Sequence, residues 1–572
     1  MANNIISNVI MKHLISRGYK SLKKLEKQAK DAKRTNNALL LKILRENKNS
    51  EFGREHHFGE IHTLAEFRKN VPLTTYHDYE PALERMVKGE NNVLTSKRII
   101  GFAKSSASSG TSKYLPATQG SIDVYTDYTF TRALALSDEW HLREYGTHIK
   151  PGRGFYTEPA FDEFLPNGLP CSTVVEVAAI QVGKLFPFIL SIPEDKMTSM
   201  KDGDWEYLIW RYALEDDRIS FAFGVFFSHL NSRIGYMKEN WKMLVEDIKT
   251  GKVNPKVNLV PELRKKLEQT LKANPKRAEE LKKELEKGFN DHTFRKIWPR
   301  LSVVCAIGNA SFAPFAKKVK STIADVPFDY SVYGASEGLF ACCYELENTD
   351  MQLVLDSCFF EFIPIDGTEE DICTLSHLEV GKEYEIVITN QAGFYRYRIN
   401  DVVKVVGYRD TCPLVQFAYR KGQLVNMAGE KFTEEHAIAT IERLEQMSGE
   451  KIHEWILYRD ESVLPNGYEF ILECDEGVDL SGYAEELEPV MTEINYRYGA
   501  FREKKEIGDL VIKMQKPGTH EAWRKSRIEK GALPGNIKPV HIIDNEEKKN
   551  FFLDKIEIID QPEQMDETGE EI

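Results

Sequence analysis

A serine- and glycine-rich segment at residues 105–113 has a composition suited to binding phosphate. It reads Ser-Ser-Ala-Ser-Ser-Gly-Thr-Ser-Lys. Small side chains let backbone N–H groups approach a polyphosphate without obstruction. The same composition is also typical of a flexible linker. A short buried strand expected at residues 98–103 and the Lys-Tyr-Leu-Pro sequence at residues 113–116 favour phosphate binding, because a linker rarely needs both.

Two later segments carry acidic residues that suit the other parts of a nucleotide. Residues 333–338 read Tyr-Gly-Ala-Ser-Glu-Gly, so Glu337 follows a short turn and can hold Mg²⁺, which prefers oxygen ligands. Tyr333 can stack on adenine from the same strand end. Asp401 stands between Tyr-Arg-Tyr-Arg and a β-branched run, and a fixed carboxylate accepts two hydrogen bonds from ribose hydroxyls.

Each of these segments also has a purely structural interpretation. The Glu337 segment can be a tight turn with a solvated side chain. The two arginines can bridge surface acids while Asp401 caps a turn with Asn400. Taken together, the three segments favour one ATP site, because independent structural roles leave their shared suitability for a nucleotide unexplained. We therefore expect them to converge in space.

The composition limits the class of protein. A chain of 572 residues with ordinary apolar content is expected to form at least two domains. The net charge of −13 and the pI near 5.7 argue against a nucleic-acid partner. The eight cysteines show neither metal-ligand spacing nor a disulfide framework. The most hydrophobic stretch, residues 174–192, is interrupted by polar residues, so we expect a soluble cytoplasmic protein without a membrane partner.

The apolar pattern predicts the elements that position these residues. Residues 5–47 are expected to form amphipathic helices, and a helix is expected to begin near Gly120. Residues 261–289 predict a charged helical hairpin. Strands predicted at residues 301–308 and 328–333 are separated by a helix, which indicates a largely parallel sheet with ligand-binding loops at the strand ends.

A change of pattern near residue 421 predicts a domain boundary. Residues 1–420 are interpreted as the large N-terminal domain, which holds the ATP and acyl acid site, 421–423 as a hinge, 424–560 as a small domain and 561–572 as a disordered acidic tail. The small domain is predicted to contain a helix at 434–448 and another at 483–498. The predicted fold class is α/β: a large N-terminal domain with mixed, largely parallel sheets and packed helices, plus a small mobile α+β C-terminal domain.

Over nearly its full length the chain resembles adenylate-forming enzymes, specifically the auxin-responsive Gretchen Hagen family of acyl acid-amido synthetases. The three segments above are similar to the three motifs of that family. Weaker matches are Ile297-Trp298-Pro299 with the following Gly-Asn-Ala, and Pro517-Gly518-Thr519 leading into residues 531–539.

The resemblance implies a set of site residues. The first motif would hold phosphate, Tyr333 and residues 308–310 would border adenine, Glu337 would bind magnesium and Asp401 would bind ribose. Lys538 falls where the mobile catalytic lysine of the family is expected, and Arg420 falls in the hinge. The implied ATP-binding residues are Ser105, Ser106, Ser109, Gly110, Thr111, Lys113, Gly308, Asn309, Ala310, Tyr333, Asp401 and Arg420.

The chain departs from the family pattern at two points. The first motif permits two registers, one anchored on Ser105-Ser106 and one on Ser109-Gly110-Thr111, and both remain open. Asn400 replaces the glycine that usually precedes the aspartate, which is tolerable because asparagine accepts left-handed backbone angles better than most residues.

The function implied is an ATP- and Mg²⁺-dependent ligase that adenylates a small carboxylic acid and passes the acyl group to an amine, especially an amino acid. The alternatives are an acyl-coenzyme A ligase and a non-catalytic nucleotide-binding protein. Phe223, Phe226 and Phe227 are candidate walls of the acyl pocket, with ordinary core packing as the alternative. The sequence identifies no general base, although His229 is conceivable, and it identifies neither the acid, the amine nor the oligomeric state.

Overall fold

The computed structural model describes most of the chain. The described residues are 2–105, 113–157, 164–193, 203–309, 312–421, 430, 432–460, 465–503, 506–532, 537–543 and 546–556. The chain divides into two compact units, Met1–Ala418 and Tyr419–Ile572. The predicted hinge at 421–423 lies outside the described residues except for Lys421, and the predicted acidic tail lies outside them entirely. The exact domain limits stay a prediction.

The helices of unit 1 lie throughout its length. They are α1 (Ala2–Lys30), α2 (Ala32–Asn47), α3 (Glu51–Glu55), α4 (Leu64–Asn70), α5 (Tyr76–Val87), α6 (Gln119–Thr126), α7 (Arg132–Tyr145), α8 (Val174–Val182), α9 (Phe186–Ile189), α10 (Trp205–Glu215), α11 (Phe227–Thr250), α12 (Pro261–Thr270), α13 (Pro275–Leu285), α14 (Thr293–Ile297) and α15 (Ala313–Lys320). Short 3₁₀ turns occur at Phe58–Glu60, Gly183–Leu185, Glu369–Asp371 and Leu375–His377. A π-helical turn, Asp127–Thr131, joins α6 to α7.

The strands in the described residues of unit 1 form three sheets. They are β1 (Ile99–Ser105), β2 (Lys113–Thr118), β3 (Arg153–Tyr156), β4 (Cys171–Ser172), β5 (Ile219–Phe226), β6 (Val303–Ile307), β7 (Phe328–Asp329), β8 (Val332–Ala335), β9 (Gly338–Cys343), β10 (Met351–Leu353), β11 (Cys358–Pro364), β12 (Glu383–Asn390), β13 (Tyr397–Arg409) and β14 (Cys412–Arg420). The sheet orders are β2-β1-β4, β3-β5-β6-β7 and β11-β12-β13-β14-β10-β9-β8.

The parallel sheet expected from the strand–helix–strand order is β3-β5-β6-β7, whose pairs are all parallel. Its strands therefore end at one edge of the sheet. Phe226 is the last residue of β5, and Gly308 and Tyr330 directly follow β6 and β7. The seven-stranded sheet is built from antiparallel pairs such as β11–β12 and β8–β9. Each of these two sheets packs into its own large apolar cluster.

The prediction of one strand over residues 328–333 is wrong. The structure has two short strands, β7 in the parallel sheet and β8 in the seven-stranded sheet. Ser331 between them has φ 66°, a left-handed conformation that a continuous strand does not contain. The apolar alternation of the sequence continues through this crossover, so it does not reveal the change of sheet.

Unit 2 is a small α+β domain. Its elements are α16 (Glu434–Ser448), β15 (Ile452–Asp460), β16 (Gly467–Cys474), α17 (Ala484–Ile494), α18 (Tyr496–Glu503), β17 (Val511–Gln515), α19 (Thr519–Glu529) and α20 (Glu546–Leu553), with a 3₁₀ turn at Ser481–Tyr483. The helix predicted over residues 483–498 is two helices, because Asn495 accepts hydrogen bonds from the N–H groups of residues 497 and 498 and caps the second one.

The predicted fold class is confirmed as an α/β protein with a smaller α+β C-terminal unit. None of the helices in the described residues is both long and apolar enough to cross a membrane. The eight cysteines lie within those residues, and no disulfide joins any of them there.

Candidate functional site

Asp401 and Tyr333 meet inside unit 1. The Tyr333 hydroxyl donates a hydrogen bond of 3.0 Å to Oδ2 of Asp401. Both residues are buried, at 6% and 2% exposure. The Tyr333 ring packs between Phe340 and Phe417, with centroids 5.2 and 5.5 Å away. The second and third sequence motifs are therefore in direct contact, and the tyrosine is placed to orient the aspartate carboxylate.

Glu337 is held from the same side by the third motif. Oε1 of Glu337 lies 3.4 Å from the Tyr397 hydroxyl, which can donate to it. The carbonyl oxygen of Glu337 accepts a 2.8 Å hydrogen bond from Nδ2 of Asn390. Oδ1 of Asn390 in turn accepts from the three backbone N–H groups of residues 392–394. The half-buried Glu337 carboxylate thus stands on a turn that side chains and backbone both fix.

Tyr125 supports this turn from helix α6. Its hydroxyl donates a hydrogen bond to the carbonyl oxygen of Ala335. Burial, and then the negative charge of Glu337, raise the pKa of the Tyr125 phenol well above its usual value. The phenol therefore stays protonated and remains a donor. A small cavity beside it is lined by Ser121, Glu337 and Asn390, among others.

Lys113 ends the first motif. It begins β2 and pairs with Ser105, which ends β1. The Lys113 ammonium lies 4.8 Å from the centre of the Tyr76 ring, and the Tyr76 oxygen accepts a 3.1 Å hydrogen bond from the N–H of Tyr114. Burial, and then the charges of Glu80 and Glu337, raise the pKa of Tyr76.

The second and third motifs therefore meet in unit 1 through the Tyr333–Asp401 and Glu337–Tyr397 contacts, and Lys113, at the end of the first motif, lies beside Tyr76. Not all predicted phosphate ligands can be placed. Ser106, Ser109, Gly110 and Thr111 lie outside the described residues, and only the backbone of Ser105 is described. The register of the loop stays open for the same reason.

Gly308 and Asn309 follow strand β6 at the edge of the parallel sheet. A Cβ atom on Gly308 would come within 2.5 Å of Phe227 and 2.7 Å of Tyr330. The glycine is therefore required by the close approach of two rings. Nδ2 of Asn309 lies 3.7 Å from the Met351 sulfur, a weak contact. Ala310 lies outside the described residues.

The three candidate phenylalanines differ in their surroundings. Phe227 is fully buried and stacks on Phe328 at 5.0 Å, which favours the alternative of ordinary core packing. Phe226 is 8% exposed and stacks on Phe312 at 4.3 Å. Phe223 is half-buried. His229 is buried edge-on against Phe226.

A buried ion pair joins the two large sheets beneath this site. The Arg132 guanidinium donates to both oxygens of Asp329, at 2.8 and 3.1 Å, and both side chains are fully buried. It also donates to the carbonyl oxygens of Ser331 and Cys343. Arg132 thus holds the crossover between β7 and β8, directly before Tyr333. The sequence contains no short motif that pairs these two residues, and sequence reasoning missed them.

We expect Arg132→Met to lower the free energy of unfolding of unit 1 by about 3–5 kcal/mol, because it leaves the Asp329 charge buried without its partner. Urea unfolding of the full chain measures this loss. The matched control is Arg85→Met, since Arg85 pairs with Glu51 and Glu90 at the surface and is expected to leave the midpoint nearly unchanged. Equal midpoints for the wild type and Arg132→Met would contradict the prediction.

In unit 2, Lys538 is exposed on an extended segment, residues 537–543. The segment is fixed along strand β15, where the Leu457 N–H donates to the carbonyl oxygen of His541 and Leu457 forms a parallel bridge with Ile542. Arg420 is the last residue of β14 and is half-buried. The hinge assignment of Arg420 and the catalytic role of Lys538 stay predictions.

The side chain of His520, near the start of α19, is only 9% exposed and packs against Phe552. Burial, and then the charge of His541, lower the pKa of His520 to about 3. The folded chain therefore keeps His520 neutral, whereas the unfolded chain binds a proton below about pH 6.5. Stability contributed by the neutral ring is complete above pH 6.5 and is lost as the pH falls towards 3.

We expect His520 to lower the free energy of unfolding of unit 2 by up to about 1.4 kcal/mol for each pH unit below pH 6.5. The variant His520→Gln should remove this contribution to the dependence of stability on pH. Urea unfolding at several pH values, followed by the ¹⁹F signal of 5-fluorotryptophan at Trp523, reports on unit 2. His453→Gln is the control, because His453 is partly exposed beside Asp475. An unchanged slope in His520→Gln would refute the prediction.

Profiles of three parts of one protein family match this chain. The GH3 family N-terminal domain matches residues 21–328, the GH3 family central domain 351–420 and the GH3 family C-terminal domain 435–547. A putative indole-3-acetic acid-amido synthetase, GH3.9 of Arabidopsis thaliana, is 27% identical over 547 residues, covering 89% of this chain and 91% of that protein. The 4-substituted benzoates-glutamate ligase GH3.12 of the same plant is 25% identical, covering 82% and 86%.

A solved structure gives the same result for the fold. The GH3.15 acyl acid amido synthetase superposes with a TM-score of 0.79 at 21% identity, covering 94% of this chain and 96% of that one. The three profile matches together extend over most of the sequence. The predicted resemblance is confirmed, and the chain belongs to the GH3 family.

Proposed function

We propose that this chain is an ATP-dependent ligase that adenylates a small carboxylic acid and transfers the acyl group to an amino acid. The observation that carries the proposal is the contact in unit 1 between the Glu337 and Asp401 segments, with the Tyr333 hydroxyl 3.0 Å from Asp401 and Tyr397 beside Glu337. The relatives support it, since their names describe the joining of acyl acids to amino acids, such as benzoates to glutamate.

The reaction has two steps. An oxygen of the acid attacks the α-phosphorus of ATP, the bond to the β-phosphate breaks, and pyrophosphate leaves. The amine nitrogen then attacks the acyl carbon, AMP leaves with the bonding electrons, and the nitrogen loses a proton. Both steps need preorganised donors and cations, because anionic groups must meet in the first and charge develops on oxygen in both.

The residues of the chain have separate tasks in this proposal. Asp401, oriented by Tyr333, accepts hydrogen bonds from the ribose hydroxyls, and the segment from Ser105 to Lys113 donates to phosphate. Lys538 supplies a positive charge to the α-phosphate and the acid during adenylation. Gly308 and Asn309 border the adenine.

Glu337 fits a magnesium ligand. Its half-buried carboxylate offers oxygen atoms, and its neighbour Tyr397 is a neutral hydroxyl, which matches the oxygen ligands that Mg²⁺ prefers. Bound magnesium would neutralise phosphate charge. We limit the proposed wall of the acyl pocket to Phe223 and Phe226. We also propose a cytoplasmic location, on the grounds of the cysteine pattern.

Acid-dependent exchange of ³²P-pyrophosphate into ATP, measured over a panel of carboxylic acids, tests the first step. Amino acids, hydroxylamine and coenzyme A offered afterwards as acceptors test the second. The proposal requires exchange with at least one acid and amide formation with an amino acid. Transfer to coenzyme A but to no amine would instead identify an acyl-coenzyme A ligase, and no exchange with any acid would end the proposal.

A further inference from the structure

His541 is a buried residue three positions after Lys538. Three residues of extended chain span at most about 10 Å, so the position of His541 limits where the lysine backbone can lie. Val540 and His541 are both buried, at 5% and 4% exposure, whereas Lys538 is exposed. The lysine therefore stands close to a residue that is anchored in the interior of unit 2.

The His541 ring is held on two sides. It stacks on Trp455 of β15, with ring centroids 4.1 Å apart and an angle of 13° between the planes. Its Nδ1 lies 2.6 Å from Oε1 of Glu434. An Nδ1–H group at this position can donate a hydrogen bond to the carboxylate. The His541 side chain is only 3% exposed and is shielded from water, whereas the Glu434 side chain is 23% exposed.

Glu434 links this anchor to the start of the domain. It is the first residue of helix α16, where Thr433 caps the helix. A carboxylate in the first helical turn is favoured by the helix dipole. The contact therefore ties the lysine segment to the first helix of unit 2, while the bond from Leu457 ties it to the sheet. A movement of α16 and β15 as one body would carry the lysine with it.

We propose that His541 is a positioning residue for Lys538. In this proposal the Trp455–His541–Glu434 contact fixes the position and direction of residues 537–543, the segment that carries the lysine. This inference rests on the proposed function, because the position of Lys538 affects a reaction only if the chain forms acyl adenylates. It concerns residues of this chain that lie outside the three nucleotide segments. The contact joins two secondary-structure elements and one extended segment of a single unit.

Three variants separate the parts of the contact. His541→Phe keeps an aromatic ring for Trp455 but removes the donor to Glu434. His541→Asn keeps an N–H donor near the place of Nδ1 but removes the ring. The matched control is His453→Phe, because His453 lies on the same strand as Trp455 and contacts an acid, Asp475, at 2.8 Å.

We expect His541→Phe to lower the maximal rate of acid-dependent pyrophosphate exchange by about 10–100-fold with KM for ATP changed by less than about threefold, since small misplacements of a catalytic group are costly. His541→Asn should recover part of the rate, and His453→Phe should match the wild type. The second step, measured as amide formation from a supplied acyl adenylate, should stay near the wild-type rate in all of these variants.

A double variant shows whether His541 acts through the lysine. We expect His541→Phe to cause no further loss of exchange in a Lys538→Ala background, because the positioned group is already absent. Three outcomes would each overturn the inference. The first is an equal loss of exchange from His541→Phe in the wild-type and Lys538→Ala backgrounds, and the second is wild-type exchange in His541→Phe. The third is a loss of both half-reactions in a variant whose ¹⁹F signal shows that Trp523 is folded. Absence of exchange in the wild type with every acid would instead refute the proposed function, and this inference with it.

Discussion

Lys538→Ala is expected to lower the rate of acid-dependent pyrophosphate exchange by about 10²–10³-fold, the usual cost of removing one charge-stabilising group from a transition state. The reason is the meeting of two anions, a carboxylate and the α-phosphate, which needs a cation placed between or beside them. An exposed lysine on a segment that is anchored through Val540 and His541 can supply it. The measurement is ³²P-pyrophosphate exchange at saturating ATP and acid.

Two controls make this result specific. Lys525→Ala removes an exposed lysine of the same unit that pairs with Glu521, and it should leave exchange unchanged. Amide formation from a supplied acyl adenylate should survive in Lys538→Ala, because no α-phosphate is attacked in that step. Undiminished exchange in Lys538→Ala would show that another group supplies the charge. Absence of exchange in the wild type with every acid would instead favour the non-catalytic alternative.

The convergence of the candidate site could be predicted from residue types, whereas its supports could not. Asp401, Glu337 and Tyr333 were identified because their side chains suit parts of a nucleotide, and they do lie together. Asn390 and Tyr125 hold the Glu337 turn through single backbone carbonyl groups. Such contacts depend on how three distant segments pack, and the local spacing of residues along the sequence does not predict them.

The arginines of the third motif show the same limit. Their predicted role as bridges to surface acids holds only in part: Arg396 pairs with the buried Glu361, and Arg398 pairs with the buried Glu385 as well as the exposed Glu369. The sequence shows that a positive charge is present but not whether its partner is in water. Burial makes these pairs structural requirements of the fold.

The change of sheet at Ser331 is the clearest failure of pattern reading. Residues 328–333 alternate in the way a single strand does, yet β7 and β8 belong to different sheets. What makes the break possible is Arg132, which binds Asp329 on one side of Ser331 and the carbonyl of Ser331 itself. Arg132, almost 200 positions away, thus stabilises the break between β7 and β8, and the apolar periodicity of the local sequence does not predict such a contact.

Glu337→Gln is expected to raise the magnesium concentration needed for half-maximal exchange by about tenfold or more and to lower the maximal rate, because a neutral amide is a poorer ligand for a hard cation than a carboxylate. The amide keeps the size of the side chain and can still contact Tyr397. Folding should therefore be unchanged, which urea unfolding checks. Exchange rates measured over a magnesium titration give both quantities.

The matched control is Tyr397→Phe, which removes the hydroxyl that lies 3.4 Å from Glu337 but keeps its charge. Its effect on the magnesium requirement should be smaller than that of Glu337→Gln, since the ligand itself remains. If the two variants had equal effects, the hydroxyl and not the carboxylate charge would govern the requirement. An unchanged requirement in Glu337→Gln would remove Glu337 from the proposed metal site while leaving the Tyr333–Asp401 pair as the remaining evidence for nucleotide binding.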